Sequence, residues 1–151
     1  MKKILLLSAL LIFACSSDES STDSNDDNSN QTFLERFDDY IWVDEESQTL
    51  DYSSLLQFSN SPQSYMFVDK YNGSASSCNP YNIENILQNA GDTLIFEFTS
   101  GNRFVATATA FNGGESIRYK VIFKDENTTY QDGSTYYDII FTKTSESLGC
   151  Q

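Results

Sequence analysis

The chain has 151 residues, 9 basic and 22 acidic, giving a formal net charge of −13, and it contains no histidine. A chain this acidic is repelled by phosphates, which excludes nucleic acid as a partner. Without histidine, no Ser-His-Asp or Cys-His arrangement can form, and the commonest general base is missing.

Met1-Lys2-Lys3 is a basic start, and Ile4 to Ala14 is an apolar run broken only by Ser8. The run is too short to cross a hydrocarbon layer as a helix, which takes about 20 residues. A basic start, a short apolar run and a small residue at its end describe a secretory signal peptide over residues 1–14. Residues 15–30 then hold Cys15 and a Ser/Asn/Asp-rich stretch with no apolar residue after it. Such a stretch cannot bury enough surface to offset its ordering entropy, so it reads as a disordered acidic tether.

Ile12-Phe13-Ala14-Cys15 resembles the lipobox of bacterial lipoproteins. The resemblance implies cleavage before Cys15, a lipidated thiol there, and acyl chains of the palmitate kind that make the membrane a partner. Ser17-Asp18-Glu19 resembles the export tag of Bacteroidetes-type surface lipoproteins. That implies a lipid anchor in the outer membrane, facing the cell surface, with the periplasmic face as the alternative.

Residues 31–151 suit a single domain. Thr32-Phe33-Leu34-Glu35 has the capping-box pattern and predicts a short helix over Phe33–Asp39. A first strand follows at Tyr40–Asp44 and carries Trp42. Further strands are predicted at Ser54–Ser59, Ser64–Lys70, Thr93–Thr99, Arg103–Phe111, Ser116–Lys124, Thr128–Gln131 and Thr135–Lys143. The connections Ser100-Gly101-Asn102, Asn112-Gly113-Gly114 and Asp132-Gly133-Ser134 are hairpin signals. The section Gly73–Asn89 interrupts this meander, with a helical turn expected through Ile83–Leu87. Cys78 and Cys150 are the pair left after Cys15, and in an oxidising compartment they read as a disulfide.

Alternation assigns inner faces to Leu94, Phe96 and Phe98, to Tyr119, Val121 and Phe123, and to Tyr137, Ile139 and Phe141. The fold class expected is mainly β: an eight-stranded antiparallel meander barrel preceded by a short N-terminal helix. A short helix leading into Trp42 and then a meander is similar to the small lipocalin-like domains of Bacteroidetes lipoproteins. The resemblance implies a cavity for one small apolar ligand. Trp42 and the strand face Phe104, Ala106, Ala108 and Ala110 are the candidate ligand contacts, because a row of alanines leaves volume. The competing reading is that the alanines make room for Phe96 and Phe98 in a packed core.

No metal site, cofactor or catalytic constellation is predicted, and the chain is read as a non-enzyme. Asp38-Asp39 and Glu45-Glu46 are adjacent acids in polar runs, and Asp125, Glu126, Asn127 and Asp132 lack the spacing of a calcium loop. The expected function is binding of a small apolar ligand; the alternative is an interaction or inhibitor module for a basic partner protein.

Overall fold

A computed structural model describes residues 30–49, 51–100, 102–124 and 133–150. The expected signal segment 1–14, the expected lipidation position Cys15, the stretch read as a tether up to residue 29, the expected strand Thr128–Gln131 and the loop residues Asp125, Glu126, Asn127 and Asp132 lie outside the described residues.

The short helix α1 is Phe33–Arg36. Its capping box is complete: the Glu35 amide donates to Thr32 Oγ1 at 3.3 Å and the Thr32 amide donates to Glu35 Oε2 at 2.9 Å. The helix ends at Arg36, before the expected Asp39: its C-cap Phe37 leaves the helical region (φ −114°, ψ 20°), and Asp39 then takes a positive φ of 60°. Its amide instead donates to the Phe58 carbonyl, and Asp38 Oδ1 accepts from the Asn60 amide. The chain is thereby turned into the sheet.

Ten strands follow. They are β1 (Ile41–Val43), β2 (Tyr52–Asn60), β3 (Gln63–Tyr71), β4 (Ser74–Ala75), β5 (Tyr81–Asn82), β6 (Asn85–Ala90), β7 (Thr93–Ser100), β8 (Asn102–Phe111), β9 (Ser116–Phe123) and β10 (Thr135–Lys143). They pair in the order β4-β3-β2-β1-β10-β9-β8-β7-β6, with β5 also on β3. Every ladder is antiparallel.

The expected closed, eight-stranded lipocalin-like barrel is therefore corrected to a ten-stranded open sheet. One end of the sheet is β3 with the two-residue strands β4 and β5; the other is β6. Among the described residues no ladder joins the two ends. The link Ile83-Glu84 runs between them: the Ile83 amide donates to the Gln63 carbonyl of β3 and the Glu84 amide to the Glu97 carbonyl of β7, the neighbour of β6. These are isolated bonds. Strands of two residues, one preceded by Pro80 with no N–H to offer, cannot extend them into a ladder. The helical turn expected at Ile83–Leu87 is also absent. Residues 85–90 pair with β7, and a register shift between Ile86 and Gln88 breaks their alternation, leaving Leu87 exposed.

The sheet curls so that one face encloses the main core. Leu94, Phe96, Phe98, Tyr119, Val121, Phe123 and Phe141 are buried there. Phe33, Leu34 and Phe37 of α1 are buried with Trp42 and Phe58. They close the curl beside the start of β7, where the Leu34 amide donates to Asn89 Oδ1. On the outer face of β1–β3, Val43, Leu55 and Val68 pack with Leu148 from the C-terminal segment 144–150. Lys70, 6 % exposed, donates there to Glu146 Oε1 at 2.7 Å and to the Ser147 carbonyl at 2.9 Å. The Cys78–Cys150 disulfide staples that segment to the connection between β4 and β5.

Candidate functional site: an aromatic cleft

At the opposite ends of β7, β8 and β9 from α1, the curled sheet is not filled. A cleft of about 510 Å³ opens there. Alternation along β3 sends Tyr65, Phe67 and Asp69 to this face. Tyr119, Val121 and Phe123 of β9 lie across from them, with Phe98 and Phe104 at the adjoining ends of β7 and β8. Ser76, Ser77 and Tyr81, from the disulfide-held connection, complete the mouth.

The rings run nearly edge to edge around the cleft. Tyr65 stacks on Tyr81 at 5.3 Å and meets Phe98 at 5.2 Å. Phe98 stacks on Phe104 at 5.0 Å, and Phe104 meets Phe123 at 5.0 Å. Tyr136 touches Phe104 and Phe123, and Tyr137 stacks on Phe67 at 6.0 Å. Neighbouring strand residues normally face opposite ways, yet Tyr136 and Tyr137 both line the cleft. The β9–β10 register shifts between Thr135 and Tyr137, and a bulge of this kind re-aims side chains. Simple alternation would set Tyr136 opposite Tyr137, and the bulge removes that opposition.

Polar groups are interleaved with the rings: Asp69, three serines and five tyrosine hydroxyls line the cleft. Tyr119 and Tyr65 lie side by side, ring centroids 6.3 Å apart. Burial pushes both phenols well above the usual tyrosine range, reinforced by the mutual proximity of Tyr119 to Tyr65 and of Tyr65 to Tyr81. Tyr137 is pushed up to about 12, first by burial and then by its hydrogen bond with Tyr136. Asp69 Oδ1 accepts from the Tyr52 hydroxyl at 2.8 Å and from Ser54 Oγ at 2.7 Å.

These raised values carry a pH dependence of definite sign. Above the ordinary tyrosine value of 10.0, the unfolded chain loses phenolic protons that the folded protein keeps. The folded state then binds more protons, so stability falls as pH rises. Chemical denaturation is expected to show full stability from these groups below pH 10.0 and progressive loss towards about 12. Ultraviolet titration should show Tyr119 ionising only as the protein unfolds. Free ionisation of every tyrosine near the ordinary value, with no loss of stability, would contradict this placement.

The residues singled out from the sequence are not brought together. Phe104 lines the cleft. Trp42 lies at the α1 end, buried, its Nε1 donating to the Gly114 carbonyl at 3.4 Å and its ring against Phe37, Tyr40 and Phe58. Ala106 sits between Phe96 and Val121, and Ala108 between Leu94 and Tyr119. Ala110 is buried opposite Ile117. Their small volume is taken up by large neighbours in the core. Sequence reasoning missed Tyr65, Tyr81, Asp69 and Tyr136. The alternation Tyr65-x-Phe67-x-Asp69 is a usable signal; the bulge at Tyr136 leaves none.

A second hollow of about 400 Å³ lies beside α1 and is lined by charged groups of both signs, Glu35, Arg36, Glu115 and Lys143. Lys143 Nζ stands over the Tyr40 ring at 4.1 Å. Among the described residues, no three His, Cys, Asp or Glu side chains stand close enough to hold a metal ion. Among the same residues, no helix is long and apolar enough to cross a membrane.

Comparison with known proteins finds no matching family model, no matching curated protein and no matching solved structure. The resemblance to Bacteroidetes-type outer-membrane lipoproteins with a lipocalin-like barrel therefore gains no support from relatives, and the open sheet overturns its structural half. Its motif around Cys15 lies outside the described residues.

Proposed function

We propose that this domain is a non-enzymatic binding module for a small, flat molecule that joins an apolar ring system to polar groups, and that it works outside the cytoplasm. The observation that carries the reading is the cleft of about 510 Å³ walled by aromatic rings. Small-molecule sites typically enclose roughly 300–1,000 Å³, apolar in the main, with a few polar groups to fix orientation. Tyr136 and Tyr137 are 47 % and 38 % exposed at the mouth, so apolar ring surface is presented where a ligand would enter. A disulfide that ties the mouth-forming connection to the C-terminal segment suits an oxidising compartment.

A fluorescence titration of the full chain with the neutral dye N-phenyl-1-naphthylamine tests the proposal. Saturable binding of one dye per chain is expected. Ser77 is exposed at the mouth, so Ser77→Trp should obstruct the cleft without touching the core and weaken binding by about tenfold or more, equivalent to 1.4 kcal/mol. Dye binding that ignores this substitution would place the site elsewhere and defeat the proposal.

A further inference from the structure

The cleft offers more than apolar contact. On the premise that it is a binding site, we infer that its ligand carries a cationic nitrogen, an amine, guanidine or quaternary ammonium, seated beside Asp69 and against the surrounding ring faces.

Among the described residues, Asp69 is the charged residue lining the cleft, and no lysine or arginine lines it. Both hydroxyl donors, from Tyr52 and Ser54, converge on a single carboxylate oxygen, Oδ1. Among the described residues, Oδ2 receives no hydrogen bond and Asp69 has no ion-pair partner. A half-buried carboxylate is held in place on one oxygen and left open on the other. An anionic or purely apolar ligand leaves that oxygen without a partner at a cost, whereas a cation supplies one.

The neighbouring basic residues are engaged elsewhere. Lys70, next in sequence, points to the opposite face and is held by Glu146 and the Ser147 carbonyl. Arg103 and Lys124, near the cleft's far wall, both stand by Glu97. The charges felt by the cleft phenols point the same way. Glu84 acts on Tyr65, and Asp69 acts on Tyr137, each raising the phenol. Phe67 lies two residues before Asp69 on the same strand face and stacks on Tyr137. A cation at Asp69 would therefore also have ring faces within reach, and aromatic faces attract cations electrostatically.

Isothermal titration of the full chain with 1-naphthylmethylammonium and with 1-naphthalenemethanol tests the inference at neutral pH. The two probes share the ring system and differ in charge. The ammonium is expected to bind about tenfold more tightly or better, the size of a single charge-assisted contact. Asp69→Asn should remove that preference. Asparagine keeps an acceptor for Tyr52 and Ser54, which preserves the local network; should the variant nevertheless misfold, the wild-type comparison stands by itself. Equal binding of the two probes to wild type would overturn the cationic class and leave the cleft as a site. A preference that survives Asp69→Asn would overturn the role of Asp69. Binding of neither probe would overturn both the cationic class and the cleft reading beneath it.

Discussion

Replacing Phe58 with alanine is expected to lower unfolding stability by about 3–5 kcal/mol, the usual cost of deleting a fully buried phenylalanine. Phe58 is fully buried and sits where the helix meets the sheet. Its ring contacts Phe33 of α1 at 5.4 Å, Trp42 of β1 at 6.1 Å, Phe96 of β7 at 6.3 Å and Tyr119 of β9 at 6.4 Å. No single neighbour can collapse into the space without leaving another, so both transfer and cavity costs are incurred. Urea denaturation measures the loss. A decrease under about 1 kcal/mol would mean that the closed end of the sheet repacks freely, against the interlocked aromatic core.

The second large effect concerns the disulfide. Cys78 and Cys150 are 72 positions apart, and the chain-entropy account gives a closed loop of this length roughly 4 kcal/mol. The double substitution Cys78→Ser, Cys150→Ser is expected to cost up to that amount. Its structural consequence should be local. The segment 144–150 has no regular secondary structure and is held by Leu148 packing, the Lys70 contacts and the staple itself. Hydrogen exchange should therefore rise first in this segment and around Ser76 and Ser77, which precede Cys78 at the mouth of the cleft. Dye affinity should fall with it. Unchanged exchange in both places would show that the staple is dispensable for shaping the mouth.

The parts of the fold that are legible in the sequence are those set by local chemistry. Thr32 and Glu35 announce the helix start because a capping box needs only four residues. Strands β2, β3, β7, β8, β9 and β10 follow from alternation, since one buried face imposes a period of two. The paired cysteines follow from an even count. Closure is not legible. Whether two distant edges pair depends on Tyr81-Asn82 and Asn85–Ala90, short segments without regular alternation whose partners lie on β3 and β7. Nothing in their own pattern specifies a strand. Sequence reasoning therefore reads them as a loop and a helical turn, and the remaining strands as a closed barrel.

Of the ligand contacts named from the sequence, Phe104 alone lines the cleft, although the alternation Tyr65-x-Phe67-x-Asp69 is also readable there. The alanine row draws attention to volume, but that volume is filled by Phe96, Leu94 and Tyr119. The actual cleft arises at strand ends, where Tyr136 is turned by a bulge and Tyr81 is delivered by the disulfide-held connection. Both are consequences of tertiary pairing, and neither leaves a mark on hydrophobic periodicity.

Whether the aromatic cleft is where this protein binds its ligand is tested most directly by ring-labelled tyrosine NMR. The 9 tyrosines are spread over the chain, and several report on the cleft. On titration with N-phenyl-1-naphthylamine, the rings of Tyr65, Tyr81, Tyr136 and Tyr137 are expected to shift together, saturating at one dye per chain. Tyr40, at the α1 end, and Tyr71, 60 % exposed at the end of β3, should stay in place. Shifts confined to Tyr40 and Tyr71, or spread evenly over all rings, would contradict this and remove the cleft as the binding site.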